Sequence, residues 1–337
     1  RLKFYLIKFA MVNARISGLS SYAPDDILDN HMLSQMVDTN DEWITTRVGI
    51  KERRILKDPS KGSSFMGIKC VERLLESTGT KPEEVDLLIC ATSNPDYRFP
   101  STGSIIAHQC GLKNAYAYDV QAACAGFLVA LQDGAAYVRS GLRKKVVVVA
   151  AEKMSSMTNY EDRATCPLFG DGAGAMLLEP TEENVGIIDG VFHVDGEGLE
   201  HLWMPAGGSA LPASHETVDA KQHYVIQDGR NVYKNAVTDM LDSSLEVMEK
   251  NGLTVENIDW FCSHQANLRI IEAVGARLGI DNEKVLVNIE KYGNTSAASI
   301  PLCLDECRDR IKKGDRLILT AFGAGFTWGA LYIIWDL

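Results

Sequence analysis

A segment that occurs twice constrains this chain more than any other feature. GTKPEEVDLLIC, beginning at Gly79, aligns with GLTVENIDWFC, beginning at Gly252, with one residue slipping at the end. Gly79, Glu83 and Asp86 match Gly252, Glu256 and Asp259 at one constant separation of 173 residues. An amphipathic stretch precedes each glycine. Met66, Cys70, Val71, Leu74 and Leu75 recur at helical spacing in the first copy, and Ala236, Met240, Leu241, Leu245 and Met248 in the second. Glycine just past such a face is a common helix stop, because it takes up left-handed backbone without steric cost. A short apolar strand is then expected in each copy, over Val85–Ala91 and Ile258–Ser263. Val146–Ala151 is continuous and β-branched, the mark of a strand buried on both faces, and Arg316–Ala321 reads as another. Ala175–Leu178 and Leu331–Trp335 are expected to follow glycine-rich turns at the end of each half. Residues 204–222, with Pro205, Gly207, Gly208 and Pro212, read as a surface loop. The chain is therefore expected to be α/β, with two pseudo-repeated halves, 11–185 and 186–337.

With 337 residues, such a chain builds its core without covalent staples. Its 8 cysteines include no CxxC pair, which suits a reducing cytoplasm better than a disulfide framework. Cys303 and Cys307 have no histidine nearby, which argues against a metal site. Lys+Arg 34 against Asp+Glu 45 gives a net charge of −11, the wrong sign for a nucleic-acid binder. An acidic partner would need a local basic patch. The apolar run Val146–Ala151 is far below the ~18 residues that span a bilayer. The opening RLKFYLIKFA is interrupted by Arg1, Lys3 and Lys8 and lacks a small-residue cleavage site, so it does not read as a signal peptide. Met11 reads as the natural start, and the protein as soluble and cytoplasmic.

Three residues stand where α/β proteins place their chemistry. Cys124, in DVQAACAGFLVAL, lies between a strand-like Tyr116–Val120 and an apolar helical stretch, Ala125–Val138. At such a turn the helix dipole is expected to lower the thiol pKa and favour a nucleophilic thiolate. The small neighbours Ala122, Ala123, Ala125 and Gly126 leave room for a substrate, although a free cysteine also serves as a small buried hydrophobe. His264 follows the second-copy strand in a polar cluster with Ser263, Gln265 and Asn267, some of which can equally cap a helix. Asn294 lies in EKYGNTSAASIPL, another small polar run before a helix, or simply a capped turn. Cys90 and Cys124 are 34 residues apart, Cys262 and Asn294 32, so Asn294 is expected nearly at the position that Cys124 holds in the first half. A pseudo-twofold would then bring the two helix starts together beside His264. The run Gly170–Ala175 formally fits GxGxxA, but the strand-like AMLLE and Pro180 follow it, so dinucleotide binding fails on context. Gly323–Ala324–Gly325 reads as a tight turn that exposes backbone N–H groups.

Taken together, DTNDEWITTRVGIKERR (38–54), AACAGF (122–127), FGDGAGA (169–175), HQANLR (264–269), YGNTSAAS (292–299) and FGAGFTWG (322–329) resemble the β-ketoacyl-[acyl-carrier-protein] synthase III family. The six motifs occur in that family's order, from about Ile16 to the C-terminus. The resemblance implies a thiolase-like fold, two repeated halves in five α-β-α-β-α layers, usually a homodimer. It implies a Cys-His-Asn triad at Cys124, His264 and Asn294. In that scheme Cys124 takes the acyl group from an acyl-CoA. His264 and Asn294 then stabilise the enolate formed when malonyl-[acyl-carrier protein] loses CO₂. The acyl-enzyme oxyanion would be held by the N–H of Cys124 and that of Ala324, where glycine is common in the family. Trp43 and Arg163 match positions that sandwich the CoA adenine, with Thr39 and Arg47 nearby. Asn267 matches a residue near the pantetheine arm. Phe99 matches one that closes the partner subunit's acyl pocket, its bulk pointing to acetyl or a small branched acyl group. Lys234, Arg269 and Arg277 match basic positions that receive the acyl carrier protein. The CoA thioester is a substrate, and neither a separate cofactor nor a metal is implied. A thiolase would carry a second cysteine in the C-terminal glycine loop, which is absent here. Hydroxymethylglutaryl-CoA synthase and polyketide-type condensing enzymes share the triad, and a Cys-His hydrolase would keep the nucleophile but lack a carrier-protein site.

Overall fold

A computed structural model describes residues 12–337; the reading of the opening ten residues and of Met11 lies outside them. Nine strands form one sheet: β1 (Asn13–Tyr22), β2 (Leu87–Ala91), β3 (Tyr116–Val120), β4 (Val146–Lys153), β5 (Asp171–Thr181), β6 (Gly186–Val194), β7 (Trp260–Ser263), β8 (Arg316–Gly323) and β9 (Thr327–Ile334). Seven helices matter to the argument: α1 (Asp41–Val48), α2 (Ser63–Thr78), α3 (Thr102–Gln109), α4 (Gly126–Arg139), α5 (Gly229–Lys250), α6 (Leu268–Leu278) and α7 (Ser299–Glu306).

The strand order is β7-β8-β9-β6-β1-β5-β4-β2-β3, and it reads the same outward from the centre. On one side β1 pairs antiparallel with β5, β5 antiparallel with β4, and β4 parallel with β2. On the other, β6 pairs antiparallel with β9, β9 antiparallel with β8, and β8 parallel with β7. β3 lies parallel to β2, and a parallel bridge from Phe261 to Val285 marks the same place beyond β7. The two series join through one antiparallel pair, Ala14 with Ile187.

The repeated residues do the same work twice. Gly79 (φ 66°) and Gly252 (φ 63°) end the flow of α2 and α5 in left-handed backbone. Asp86 accepts the N–H of Lys144 at 2.9 Å and Asp259 that of Arg316 at 2.8 Å, each fixing the start of the neighbouring strand. Side chains alternate along the strands and so divide the core into layers. Leu88, Cys90, Val147 and Val149 face α2 and α3. Leu87, Ile89, Val146 and Val148 face the opposite way, into a central core shared with Leu317, Leu319, Leu331 and Ile333 and filled by α4 and α7. Ile318, Phe322 and Tyr332 face the outer layer that holds α5 and α6. These are the five α-β-α-β-α layers of the thiolase-like fold.

Some expectations need correcting. Leu245 is 46% exposed; the buried stripe of α5 runs through Met240, Ser243, Ser244 and Val247, and the two serines return their hydroxyls to the carbonyls of Asp239 and Met240. Residues 204–222 include a short helix, His215–Asp219, capped by Ser214. Gly172 and Gly174 are not a turn before a strand but part of β5. A Cβ at Gly172 would stand 2.6 Å from Leu302 Cδ1, and one at Gly174 2.5 Å from Pro301 Cβ, so these glycines let α7 lie directly on the sheet. Strand propensity alone favours Gly174→Val. The packing predicts the reverse: a lower chemical-denaturation midpoint, by about 1–3 kcal/mol, because the added carbons drive α7 off β5.

Candidate active site

Cys124 sits in a single helical turn, Ala123–Ala125, that leads from β3 directly into α4. The second half repeats this construction, with the turn Ser296–Ala298 leading into α7. The turns start 173 residues apart, as do the helices. Ala123 (φ 46°) and Ser296 (φ 51°) both hold left-handed backbone, a conformation that costs a side-chain-bearing residue ~1–3 kcal/mol and clusters at functional sites. At this separation the counterpart of Cys124 is Ala297, and that of Asn294 is Gln121. Asn294 is therefore three residues upstream of the equivalent position, not at it, and it enters the site from the loop that approaches the turn. The two helix starts do meet. A Cβ on Gly126 would lie 3.8 Å from Ala297 Cβ.

All eight cysteines are free, and only Cys124 is not classed as buried. It is half-buried, and the atoms packed around its sulfur still desolvate it. Burial pushes the thiol up to about 12, only partly offset by Ser296, and the charge of Glu152 raises it further. The expected lowering by the helix start is thus overturned: desolvation of the thiolate is the larger effect. His264 moves the opposite way for the same reason, since burial holds its imidazole down at about 3. At neutral pH the resting pair is therefore a thiol and an uncharged imidazole.

Both remaining candidates are aimed by bonds to their less useful atoms. His264 N–H donates to Thr320 O at 2.8 Å, and Nδ1 lies 2.6 Å from Ser299 Oγ. Ser299 Oγ accepts the Gln265 N–H at 3.3 Å, so its own proton is available for Nδ1, which places the ring proton on Nε2. Asn294 is clamped by its backbone, N–H to Leu168 O at 2.8 Å and carbonyl from Gly170 N–H at 3.0 Å. Its Oδ1 accepts the Ser296 N–H at 2.8 Å, which leaves the Nδ2 donors for a ligand. Arg53, fully buried, donates to Leu28 O, Asn30 Oδ1 and Pro167 O and packs its Cβ against Gly170 and Gly293, so it anchors the loop that carries Asn294. The Gly323–Gly325 turn lies on the nucleophile. A Cβ at Gly323 would be 2.6 Å from Cys124 N, and the Ala324 N–H follows at once.

Trp43 is flanked by two guanidinium groups, Arg163 at 4.6 Å and Arg47 at 5.4 Å from the ring centroid. Arg163 rests directly on the indole, so a purine enters only if that contact opens. Beside it is a cleft of ≈ 310 Å³ lined by Asn40, Glu42, Trp43, Thr46 and Arg47. Thr39 has a buried Oγ1 without a hydrogen-bond partner. Asn267 caps α6, its Oδ1 accepting the Arg269 N–H at 2.9 Å. A Cβ at Gly49 would meet Leu268 Cβ at 2.5 Å, so α1 and the His264 segment are locked together. Arg269 stacks on Tyr233 at 5.5 Å, next to the exposed Lys234, whereas Arg277 lies at the far end of α6. Phe99 is 87% exposed in this single chain. Sequence reasoning passed over Ser296, Ser299, Glu152 and Arg53. The first two lie inside the quoted motif YGNTSAAS, whose small hydroxyl residues were the available signal. Among the described residues no group of His, Cys, Asp and Glu side chains is arranged to hold a metal ion, and no helix is long and apolar enough to cross a membrane.

Depression of the His264 pKa has a consequence for pH. Between ~6.5 and about 3 the unfolded chain takes up a proton that the native ring refuses, so this residue withdraws stability as pH falls through that window. In ¹⁵N-histidine NMR of the folded protein, His264 should remain a neutral Nε2–H imidazole from pH 8 to pH 5. Protonation with a midpoint near 6.5 would contradict the site described here.

The chain matches two family models, 3-oxoacyl-[acyl-carrier-protein (ACP)] synthase III over residues 118–196 and its C-terminal counterpart over residues 248–335. It is 56% identical over 324 residues to β-ketoacyl-[acyl-carrier-protein] synthase III 2 of Bacteroides thetaiotaomicron, covering 96% of this chain and 97% of that one. The same identity and coverage relate it to β-ketoacyl-[acyl-carrier-protein] synthase III of Porphyromonas gingivalis. The crystal structure of 3-oxoacyl-[acyl-carrier-protein] synthase III from Aquifex aeolicus VF5 superposes with a TM-score of 0.88 at 41% identity, covering 96% of this chain and 100% of that one.

Proposed function

The chain belongs to the β-ketoacyl-[acyl-carrier-protein] synthase III family, acyltransferases that start bacterial fatty acid synthesis, and we propose how its own residues divide that reaction. In the first half-reaction Cys124 Sγ attacks the thioester carbonyl of a short acyl-CoA. The carbonyl oxygen gains charge and is held by the N–H groups of Cys124 and Ala324. The C–S bond to CoA then breaks and leaves an acyl-enzyme. In the second, malonyl-[acyl-carrier protein] presents its thioester carbonyl to His264 Nε2–H and Asn294 Nδ2–H. As the bond to the carboxylate breaks and CO₂ departs, these two donors stabilise the enolate. Its carbon attacks the acyl group, a C–C bond forms, and the Cys124 sulfur leaves. The products are 3-oxoacyl-[acyl-carrier protein], CoA and CO₂, with the CoA thioester entering as a substrate and no further cofactor.

The observation that carries this reading is the pair of pre-aimed neutral donors. A histidine that stays neutral near pH 7 and an asparagine whose oxygen is already committed suit the stabilisation of a developing oxyanion, and not proton abstraction. In the proposal, Trp43 and Arg163 part to clasp the adenine, a π face opposite a planar cation, with Thr39 and Arg47 beside it and Asn267 along the pantetheine arm. Lys234, Arg269 and Arg277 supply the local positive charge that an acidic carrier protein needs on a chain of net charge −11. Phe99 and Tyr97, 87% and 63% exposed, support a homodimer in which the partner's pocket receives Phe99 and limits the acyl group to short chains. The first half, 11–185, would then supply the nucleophile and the second, 186–337, both donors.

Two half-reactions give a direct test. Intact mass after exposure to acetyl-CoA should rise by one acetyl group in the native enzyme and not in Cys124→Ser. His264→Ala and Asn294→Ala should still load, yet lose on the order of 10²–10³ in the rate of product formation with malonyl-[acyl-carrier protein]. Variants that condense normally but fail to load would reverse the roles.

A further inference from the structure

An acyl group stored on a cysteine is lost to water when a nearby side chain can take a proton from that water. Asn294 offers no such acceptor, since its Oδ1 already receives the Ser296 N–H at 2.8 Å. His264 is the remaining candidate. Its role depends on which ring nitrogen carries the proton, because an imidazole protonated on Nδ1 presents Nε2 as a base. The ring is 3% exposed and Ser299 is 2% exposed, so protein groups and not solvent settle the choice.

Ser299, the first residue of α7, settles it. Among the described residues its hydroxyl has two partners, the Gln265 N–H at 3.3 Å and His264 Nδ1 at 2.6 Å. The Gln265 N–H can only donate. With a proton on Nδ1 as well, the hydroxyl would receive two donors and its own proton would be buried without an acceptor, an arrangement that folded proteins avoid. With the ring proton on Nε2, every group is satisfied: Gln265 N–H donates to Oγ, Oγ–H donates to Nδ1, and Nε2–H is left for a ligand. The scaffold holds this register from both sides. Gln265, 1% exposed, donates Nε2 to the carbonyls of Ser263 at 2.8 Å and Leu286 at 3.3 Å, and its Oε1 accepts the Asn288 N–H at 3.0 Å. On the other side α7 is seated on β5 at Gly172 and Gly174.

We propose that Ser299 is a positioning residue that commits the site to condensation and against hydrolysis, by holding the proton of His264 on Nε2; this rests on the reading of Cys124 as the acylated nucleophile. In a hydrolytic Cys-His site the group at Nδ1 is an acceptor oxygen, which leaves Nε2 free to take a proton. A hydroxyl obliged to donate reverses that polarity. Hydrolysis of the acyl-enzyme needs a water proton to pass to Nε2 while the water oxygen bonds to the acyl carbon. The C–S bond then breaks, its electron pair goes to Cys124 Sγ, and the proton passes from Nε2 to that sulfur. Nε2 already carries a proton and has no lone pair for the first transfer. A water bound by His264 Nε2–H and Asn294 Nδ2–H is held through the very lone pairs it needs for attack. The hydrogen bond received at Nδ1 also draws electron density from the ring, which strengthens Nε2–H as a donor to the enolate.

The test uses the full chain and the variants Ser299→Asp and Ser299→Ala, each loaded from acetyl-CoA, freed of it and held at pH 8. Three quantities are read: the His264 tautomer by ¹⁵N-histidine NMR, loss of the acetyl group by intact mass, and product formation with malonyl-[acyl-carrier protein]. The native enzyme should show Nε2–H and keep its acetyl group. Ser299→Asp places an acceptor at Nδ1. It should show Nδ1–H, shed the acetyl group at least about tenfold faster, and form product about 10² times more slowly. Ser299→Ala removes the donor without replacing it; it should show both tautomers, and it carries the test if Ser299→Asp does not fold. An Nε2–H ring unchanged in the variants would overturn the assignment whatever the loss of activity, because a structural defect alone slows product formation. So would a changed tautomer with the acetyl group kept as in the native enzyme. If the native enzyme itself acquires no acetyl group at Cys124, the failure lies with the reading of the nucleophile, and the NMR spectra still decide whether Ser299 sets the tautomer.

Discussion

The site depends on how closely α7 can approach the central sheet. Gly172 and Gly174 in β5 offer no side chain, so Pro301 and Leu302 rest on the strand itself. That contact sets where the preceding turn lies, and the turn handles every group of chemical interest. Asn294 enters it and accepts the Ser296 N–H, and Ser299 aims His264. Close packing transmits a displacement of a few tenths of an ångström instead of absorbing it. Two glycines in the middle of a strand, costly by local propensity, thus place the candidate-site turn that lies several residues away.

Desolvation shapes the chemistry at that turn. It weakens the acid at Cys124, weakens the base at His264 and strengthens the base at Glu152. The first two shifts keep the resting site free of an ion pair, so no salt bridge must be broken when a thioester enters. A histidine that stays neutral is suited to donate a hydrogen bond and poorly suited to take up a proton. In a low-dielectric recess, fixed N–H donors exert more effect on a developing oxyanion than they would in water.

Much of the architecture was legible in the sequence, because a duplicated segment leaves matched residues at a constant separation. Gly79 with Gly252 and Asp86 with Asp259 carry out the same tasks in both halves. The strand-to-helix placement of Cys124 was legible for the same reason, since alternating elements and small residues mark such turns. Burial was not. The direction of the Cys124 shift is set by desolvation, which follows from how segments far apart in sequence pack around the thiol. Glu152 looks like the polar end of a strand until that turn is folded over it. The glycines of FGDGAGA resemble a phosphate-binding turn, and only the neighbouring helix explains them. Asn294 was placed slightly wrong because Cys90 and Cys262, the residues counted from, are 172 apart and not equivalent. The strands and turns themselves repeat at 173, so Asn294 falls three residues before the counterpart of Cys124.

The most direct test of the account is a crystal structure of the enzyme after exposure to acetyl-CoA. It should show an acetyl group on Cys124 Sγ, with its carbonyl oxygen ~3 Å from the backbone nitrogens of Cys124 and Ala324. His264 Nε2 and Asn294 Nδ2 should converge on a separate, neighbouring point, free for the second thioester. An acetyl oxygen bound instead by His264 and Asn294, or an acetyl group on another residue, would contradict it.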